Sequence, residues 1–153
     1  MGHIKQNYSN TICKHYIVSN NTLAIVPVRA INFDAIAYEK ERTIQVRQTP
    51  LQIIKASCIH HGATYEGRRR ASCHLLGLVQ KVPIVMNERP LIYSFPSQSA
   101  HNFSASWVFA KHILHITAHP NKAIQQTIIT FHNKQQLFLN ESTYAPTNKA
   151  MYL

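Results

Sequence analysis

The sequence predicts an α+β fold, in which a twisted and mainly antiparallel β-sheet carries one central helix at about residues 50–61. Two observations lead to this prediction. One segment combines the residue types that start and stop a helix. The stretches on both sides of it are short runs of β-branched and aromatic residues separated by turn residues. No internal repeat, heptad pattern or low-complexity segment divides the 153 residues, so we expect a single domain over residues 1–153.

The chain before the helix is predicted to form short strands. Residues 13–28 indicate a hairpin of two strands around the Ser-Asn-Asn turn at residues 19–21. Residues 33–38 and 43–46 indicate a second antiparallel pair around the charged residues between them. The helix begins directly after this pair.

Three residues predict where the helix starts. Thr49 is a good N-cap, and Pro50 fits the first helical position, where its missing N–H costs nothing. Gln52 stands where a capping box takes Glu or Gln. One apolar stripe follows at helical spacing. Its members are Leu51, Ile54, Cys58 and His61. Gly62 then stands where a left-handed residue ends a helix.

The segment after Gly62 is predicted to be an exposed loop. It contains Gly67 and then Arg68, Arg69 and Arg70, the densest positive charge in the sequence. Three guanidinium groups in succession suit phosphate as a partner. Tyr65 has two equally weighted interpretations. In one, it contacts nucleic acid, either by stacking its ring on a sugar or base or by donating its hydroxyl to a phosphate. In the other, the ring folds back on Leu51 or Ile54 and anchors the loop.

The second half of the chain is predicted to be mostly sheet. Short β-like runs occupy residues 73–79, 82–86, 91–95 and 107–117, and residues 127–131 and 136–139 form a hairpin around Asn133 and Lys134. A two-residue turn gives both central residues positive φ, which costs lysine about 1 kcal/mol relative to glycine. A longer loop including His132 and Gln135 is therefore expected. Residues 145–153 are expected to be an unstructured or loosely docked tail.

The charge balance indicates a polyanionic partner. Sixteen Lys and Arg residues stand against six Asp and Glu, giving a net charge of +10 and a pI of 9.8. Such a balance favours a nucleic acid or an anionic membrane surface. The N-terminus has no signal-peptide core and no run is long enough to span a bilayer, so we expect a cytoplasmic protein without a membrane partner. Three cysteines without C-x-x-C spacing indicate reduced thiols.

The sequence gives little support to the hypotheses that this protein is an enzyme or binds a metal. His112, His115 and His119 share a face only in a helix, and their segment looks like a strand without an accompanying glutamate. His60, His61 and His74 with Cys58 and Cys73 have irregular ligand spacing. Cys58 is read as a buried small hydrophobe rather than a nucleophile. No catalytic motif is recognised, so we expect no catalytic residue, no metal, no cofactor and no enzymatic activity.

The residues around the helix resemble those of the bacterial competence transcription factor family, ComK, over about residues 49–145. The matching positions are Pro50, Leu51, Ile53, Ile54, Ser57, Cys58, Gly62, Tyr65, Gly67, Arg68, Arg69, Pro83, Ile84, Phe95, Pro96 and Ser97. The resemblance implies a DNA-binding transcription regulator that binds AT-rich promoter boxes through the minor groove and activates genes for DNA uptake. It also implies a homo-oligomer on DNA, located at the bacterial nucleoid, and control by a MecA-type adaptor and a Clp protease.

The residues expected to contact DNA lie in the arginine segment. They are Tyr65, Gly67, Arg68, Arg69, Arg70 and Lys81, with Arg68 or Arg69 in the minor groove and with Arg89 and Lys111 as alternatives. Family members usually continue beyond the point corresponding to Leu153, so the sequence is expected to be a DNA-binding core, from a short paralogue or a truncated product. The alternative reading is an interaction or metal-binding module on the same scaffold that does not bind DNA.

Overall fold

The computed structural model describes residues 11–140 of the chain, and the α+β class with mainly antiparallel sheets is confirmed. The elements are β1 (Thr22–Pro27), β2 (Ala35–Glu39), β3 (Thr43–Val46), α1 (Pro50–His60), α2 (Tyr65–Leu76), β4 (Ile84–Glu88), β5 (Leu91–Pro96), β6 (Trp107–Phe109), a 3₁₀ turn (Ala110–His112), β7 (Ile113–Ala118), β8 (Thr127–Phe131) and β9 (Gln136–Leu139). Six strands form one sheet in the order β3-β2-β1-β6-β5-β4, and β7-β8-β9 form another. The tail predicted at residues 145–153 lies outside the described residues.

The six-stranded sheet lies between two hydrophobic clusters. Strand β6 shows how the alternation of side chains builds them: Trp107 and Phe109 belong to the cluster that includes helix residues, whereas Val108 belongs to the other. The second cluster also contains buried residues of β8 and β9. The molecule therefore has three layers, with the two helices on one face of the large sheet and the small sheet on the other.

Helix α1 begins as predicted. The Thr49 hydroxyl accepts a hydrogen bond from the Gln52 N–H at 3.3 Å, and the Gln52 side chain accepts one from the Thr49 N–H at 2.9 Å. These two bonds complete a capping box. The helix ends at His60, and Gly62 has φ of +100°, which confirms the left-handed residue at this end.

The buried face of α1 is rotated from the predicted stripe. Ile53, Ile54, Ser57 and Cys58 are all fully buried, whereas Leu51 is half-buried at the edge. Ser57 is tolerated in the core because its hydroxyl accepts a hydrogen bond from the Val18 N–H at 3.0 Å.

The predicted loop at residues 63–70 and the predicted strand at residues 73–79 are wrong. Most of both segments belongs to helix α2, Tyr65–Leu76, so residues 11–140 contain two α-helices rather than one central helix. The Thr64 hydroxyl caps α2 by accepting a hydrogen bond from the Gly67 N–H at 3.1 Å. Gly77, with φ of +66°, ends it in the left-handed conformation. The three arginines therefore lie on a helix.

Two strand predictions also need correction. Residues 13–28 do not form a hairpin: β1 pairs with β2 and β6, while Cys13 makes a single parallel bridge to Val46. The run at residues 107–117 is broken by the 3₁₀ turn, where the chain passes from the large sheet to the small one. The strand pair β2–β3 closely follows the prediction for residues 33–38 and 43–46.

The hairpin at residues 127–131 and 136–139 has the predicted bounds. Its loop is longer than two residues, since the Phe131 N–H donates to the Gln135 carbonyl at 2.9 Å. Lys134 nevertheless has φ of +72°, so the longer loop does not remove the positive φ from this lysine. Within residues 11–140 no helix is long and apolar enough to cross a membrane.

Candidate nucleic-acid interface

Tyr65, a predicted DNA contact, lies in the core. Its exposed fraction is 5%, and its ring meets the Trp107 indole edge-on with a centroid distance of 6.4 Å. Burial raises the pKa of the Tyr65 hydroxyl. The ring has no free face on which a base can stack, so Tyr65 anchors helix α2 and is removed from the candidate contacts.

Gly67 also has a structural explanation. It is exposed near the start of α2 and donates its N–H to the Thr64 cap. A Cβ at this position would lie 2.9 Å from the Thr64 hydroxyl oxygen, closer than real Cβ contacts. Glycine therefore leaves room for the capping hydroxyl.

Arg68 is half-buried and makes an ion pair. Its Nη1 lies 3.2 Å from Oε1 of Glu88, a residue at the end of β4. The Arg68 side chain is 23% exposed, whereas the Glu88 side chain is 74% exposed. The Arg68 Nε is buried without a hydrogen-bond partner among the described residues. The guanidinium therefore lies at the junction of α2 and β4, with one end reaching the surface.

Arg69 and Arg70 differ in their surroundings. The Arg69 Nη2 donates to the Val79 carbonyl at 3.2 Å, so this half-buried guanidinium braces the segment that links α2 to β4. The Arg70 side chain is exposed and makes no hydrogen bond or ion pair with any residue of 11–140. Within the predicted triplet, Arg70 is the side chain whose guanidinium is available without breaking a described contact.

The outward face of helix α2 combines positive charge with small residues. Arg70 and His74 are exposed one turn apart, and Gly67 and Ala71 are exposed beside them. Small residues allow a partner's backbone to approach the helix closely. Glu66 is also exposed, one turn before Arg70, so this side of the helix carries one acid beside its cations. The Arg70 guanidinium can bind a phosphate or a base edge.

The hairpin of β4 and β5 brings a fourth arginine beside α2. Its tight turn contains Glu88, Arg89 and Pro90, and the Asn87 side chain donates to the Pro90 carbonyl at 3.0 Å. Arg89 is exposed and follows the residue that contacts Arg68. We call the set Arg68, Arg69, Arg70 and Arg89 the arginine surface.

The remaining predicted cations lie apart from the exposed face of α2. Lys81 is half-buried in the link between α2 and β4 and has φ of +51°. Lys111 lies in the 3₁₀ turn, and its Nζ donates a hydrogen bond to the Asn20 side chain at 2.8 Å.

Two acids lie close to cations around helix α2. At the start of α2, the Glu66 Oε1 lies 3.7 Å from the Lys55 Nζ. Glu66 and Glu88 are thus the two acids placed against cations around α2.

The cysteine and histidine candidates are dispersed. Burial raises the pKa of Cys58 to about 11, so its thiol stays protonated at neutral pH. His112 is buried with Nε2 2.6 Å from the Asn20 carbonyl oxygen, and burial lowers its pKa. His112 lies in the 3₁₀ turn and His115 in β7, so no helical face unites them. In residues 11–140 no three His, Cys, Asp or Glu residues are grouped to hold a metal ion.

Sequence reasoning missed the contribution of the β4–β5 hairpin. Glu88 was not a candidate, because twenty residues separate it from Arg68 and only the packing of β4 on α2 brings them together. Arg89 is predicted from the sequence only as an alternative contact. The available signal was the Arg89-Pro90 turn between two strands.

The comparison with known proteins agrees with the resemblance seen in the sequence. Residues 13–151 match the ComK protein family. The competence transcription factor of Bacillus subtilis (strain 168) is 26% identical over 125 residues, which cover 81% of this chain and 64% of that protein. The chain thus spans less than two thirds of that relative's length. No solved structure matches the chain. Because the family match covers most of its residues, this protein belongs to the ComK family.

Proposed function

We propose that this chain is a DNA-binding transcription regulator that acts in competence and holds DNA against the arginine surface. Membership of the ComK family supports this proposal, as does the name of the Bacillus subtilis relative, competence transcription factor. The observation that carries it is helix α2, which sets three successive arginines on an exposed element of a chain with a net charge of +10.

Phosphate contacts supply the first part of the binding. The outward face of α2 lies along one DNA strand, with Arg70 on a phosphate and with Gly67 and Ala71 permitting close approach. Each phosphate contact releases counterions, so the affinity falls steeply with salt. This part of the binding holds DNA of any sequence and does not distinguish one promoter from another.

The hairpin turn supplies the preference for AT-rich DNA. An A-tract has a narrow minor groove with a strongly negative potential, and an arginine placed there is attracted by the shape of the groove. Arg89 is exposed at a tight turn beside α2, whereas Arg68 and Arg69 already have partners at 3.2 Å. We therefore assign the minor groove to Arg89 and the adjacent phosphates to α2.

The partners implied by the family resemblance complete the proposal. The chain binds repeated AT-rich boxes as a homo-oligomer in the bacterial cytoplasm, on the nucleoid, and activates genes for DNA uptake. A MecA-type adaptor and a Clp protease control its amount. These partners rest on family membership, and none of the described residues is assigned to them.

A mobility-shift experiment with two duplexes tests the proposal. The purified protein is titrated against an AT-rich promoter fragment and a GC-rich fragment of equal length at several salt concentrations. We expect tighter binding of the AT-rich duplex at every salt concentration and weaker binding of both duplexes as salt rises. Equal affinity would exclude the minor-groove reading and leave phosphate contact alone. The absence of any shift at low salt would favour an interaction module that does not bind DNA.

A further inference from the structure

We propose that Glu88 holds Arg68 in the free protein and yields it to a DNA phosphate on binding, so that Glu88 sets the DNA affinity of the arginine surface. This inference rests on the proposed function. It concerns a residue outside the predicted set of DNA contacts, and its effect is opposite in sign to that of the arginines. Removing the Glu88 carboxylate strengthens binding.

The positions of the two side chains support such an exchange. The contact between Arg68 Nη1 and Glu88 Oε1 is 3.2 Å long, and it is the one contact described between the two side chains. A paired carboxylate and guanidinium can form two parallel bonds, so a single contact at this distance leaves the guanidinium open to a better partner. The Glu88 side chain is 74% exposed, which allows its carboxylate to move into solvent when a phosphate arrives.

The inner end of the Arg68 side chain keeps its position when the phosphate replaces the Glu88 carboxylate. Its Nε is buried and unpaired among the described residues, and 23% of the side chain is exposed. The inner end of the guanidinium is thus enclosed while Nη1 faces Glu88. A DNA phosphodiester has two non-bridging oxygens, as the carboxylate has two, so it takes the same donors without a change in the helix.

A simpler effect must be separated from this exchange. Glu88 is next to Arg89, so its negative charge repels DNA even without a contact to Arg68. Repulsion acts whether or not Arg68 is present. Exchange requires Arg68, because the gain comes from releasing that guanidinium. The two explanations therefore predict different results in a background without Arg68.

The experiment compares five proteins: wild type, Glu88→Gln, Glu41→Gln, Arg68→Ala and the double variant Arg68→Ala with Glu88→Gln. Glu41 is an exposed acid in the turn between β2 and β3, so its variant changes the net charge equally at a distant place. Binding to one AT-rich duplex is measured by fluorescence anisotropy at several salt concentrations. Thermal melts establish that each protein is folded.

We expect Glu88→Gln to bind roughly fivefold more tightly than wild type, the factor that corresponds to the upper range for a surface ion pair. The magnitude of its log-affinity versus log-salt slope should stay close to that of wild type, because Arg68 contacts the phosphate in both complexes, whereas Arg68→Ala should lower it by about 0.9. Glu41→Gln should stay close to wild type. In the Arg68→Ala background the gain from Glu88→Gln should disappear.

Three results would overturn the exchange. An equal gain in both backgrounds would mean repulsion alone, and an equal gain in Glu41→Gln would mean net charge alone. Weaker binding by Glu88→Gln would mean that the carboxylate positions Arg68 for DNA. If wild-type protein binds no DNA, the proposed function itself fails and the exchange fails with it. That outcome is recognised from the wild-type measurement before any variant is compared.

Discussion

The Tyr65 ring stands edge-on to the Trp107 indole, with ring centroids 6.4 Å apart and planes at 77°. This contact joins the first turn of helix α2 to strand β6 in the middle of the large sheet. The direction in which α2 presents its arginines is therefore set by the core. Edge-to-face pairs add about 0.5–1.5 kcal/mol beyond the area they bury.

Substitutions of Tyr65 should change the stability of the protein more than its affinity for DNA. Tyr65→Ala removes a buried aromatic side chain and should lower the free energy of unfolding by about 3–5 kcal/mol. Tyr65→Phe keeps the ring against Trp107 and should cost less than about 1.5 kcal/mol. Urea unfolding measures both. Tyr65→Phe should bind DNA like wild type, and a large loss of affinity in this folded variant would return the hydroxyl to the interface.

The Thr64 cap should reverse the usual effect of replacing a helical glycine. Gly→Ala in a helix normally stabilises by roughly 0.5–1 kcal/mol. At Gly67 the new Cβ would lie 2.9 Å from the Thr64 hydroxyl oxygen, so the hydroxyl must move and a cap worth about 1 kcal/mol is lost. Gly67→Ala should therefore give no gain in stability.

The matched control is the same change in a Thr64→Ala background. There the cap is already lost, so Gly67→Ala should stabilise by roughly 0.5–1 kcal/mol. Thermal or urea unfolding of the four proteins gives the comparison. A stabilising Gly67→Ala in the presence of Thr64 would show that the hydroxyl adapts to the Cβ without losing the cap.

The two helices show what the sequence could and could not predict. Helix α1 was predicted because its signals are local: Thr49, Pro50 and Gln52 start it, and Gly62 ends it. Helix α2 has comparable signals in Thr64 and Gly77. It was missed because the glycine and the charge run between them resemble a loop, and because two of the inward positions are arginines.

The candidate interface depends on contacts that sequence spacing does not reveal. Long arginine stems cover the junction of α2 and β4 while their charged ends stay near water, so Arg68 and Arg69 take inward positions that an apolar pattern does not mark. The contact of Arg68 with Glu88 spans twenty residues, and that of Tyr65 with Trp107 joins a helix to a distant strand. The sequence therefore predicted the charge of the site but not which arginine is available.

Cys58 should make stability fall at high pH. Burial raises the pKa of this thiol to about 11, whereas an unfolded cysteine has a pKa of about 8.5. Between these values the folded state holds more protons than the unfolded state, so the free energy of unfolding decreases as the pH rises. Below about pH 8.5 this contribution is constant.

Cys58→Ser is the control for that titration. Its hydroxyl does not ionise in this range, so the pH dependence of its stability between about pH 8.5 and 11 should be shallower than that of wild type. The substitution should also cost about 1–3 kcal/mol at neutral pH, because it buries a hydroxyl in an apolar cluster. Parallel pH profiles for the two proteins would mean that the thiol is not buried as described. DNA affinity per folded molecule should stay unchanged.

Alanine substitutions of the three helix arginines should lower the free energy of unfolding by different amounts. Arg70→Ala removes an exposed side chain without a described partner and should change the free energy of unfolding by less than roughly 0.5 kcal/mol. Arg69→Ala removes the hydrogen bond to the Val79 carbonyl and should cost about 1 kcal/mol. Arg68→Ala removes a surface ion pair worth about 0.2–1 kcal/mol. Melting curves for the three variants measure the losses, and a loss for Arg70→Ala as large as that for Arg69→Ala would contradict their different surroundings.

Arg70 and Arg89 should separate in their effects on DNA binding, because one is assigned to phosphate and the other to the minor groove. Arg70→Ala should weaken binding to AT-rich and GC-rich duplexes equally and should reduce the magnitude of the salt slope by about 0.9. Arg89→Ala should in addition reduce the preference for the AT-rich duplex, since the groove width it reads differs between the two sequences.

Lys111→Ala, at the 3₁₀ turn, is the matched loss of one positive charge. Anisotropy titrations of both duplexes at several salt concentrations give affinity, slope and preference together. If Arg70→Ala and Arg89→Ala both match Lys111→Ala in all three quantities, the arginine surface does not contact DNA, and Lys81 and the face around Lys111 become the surfaces to test.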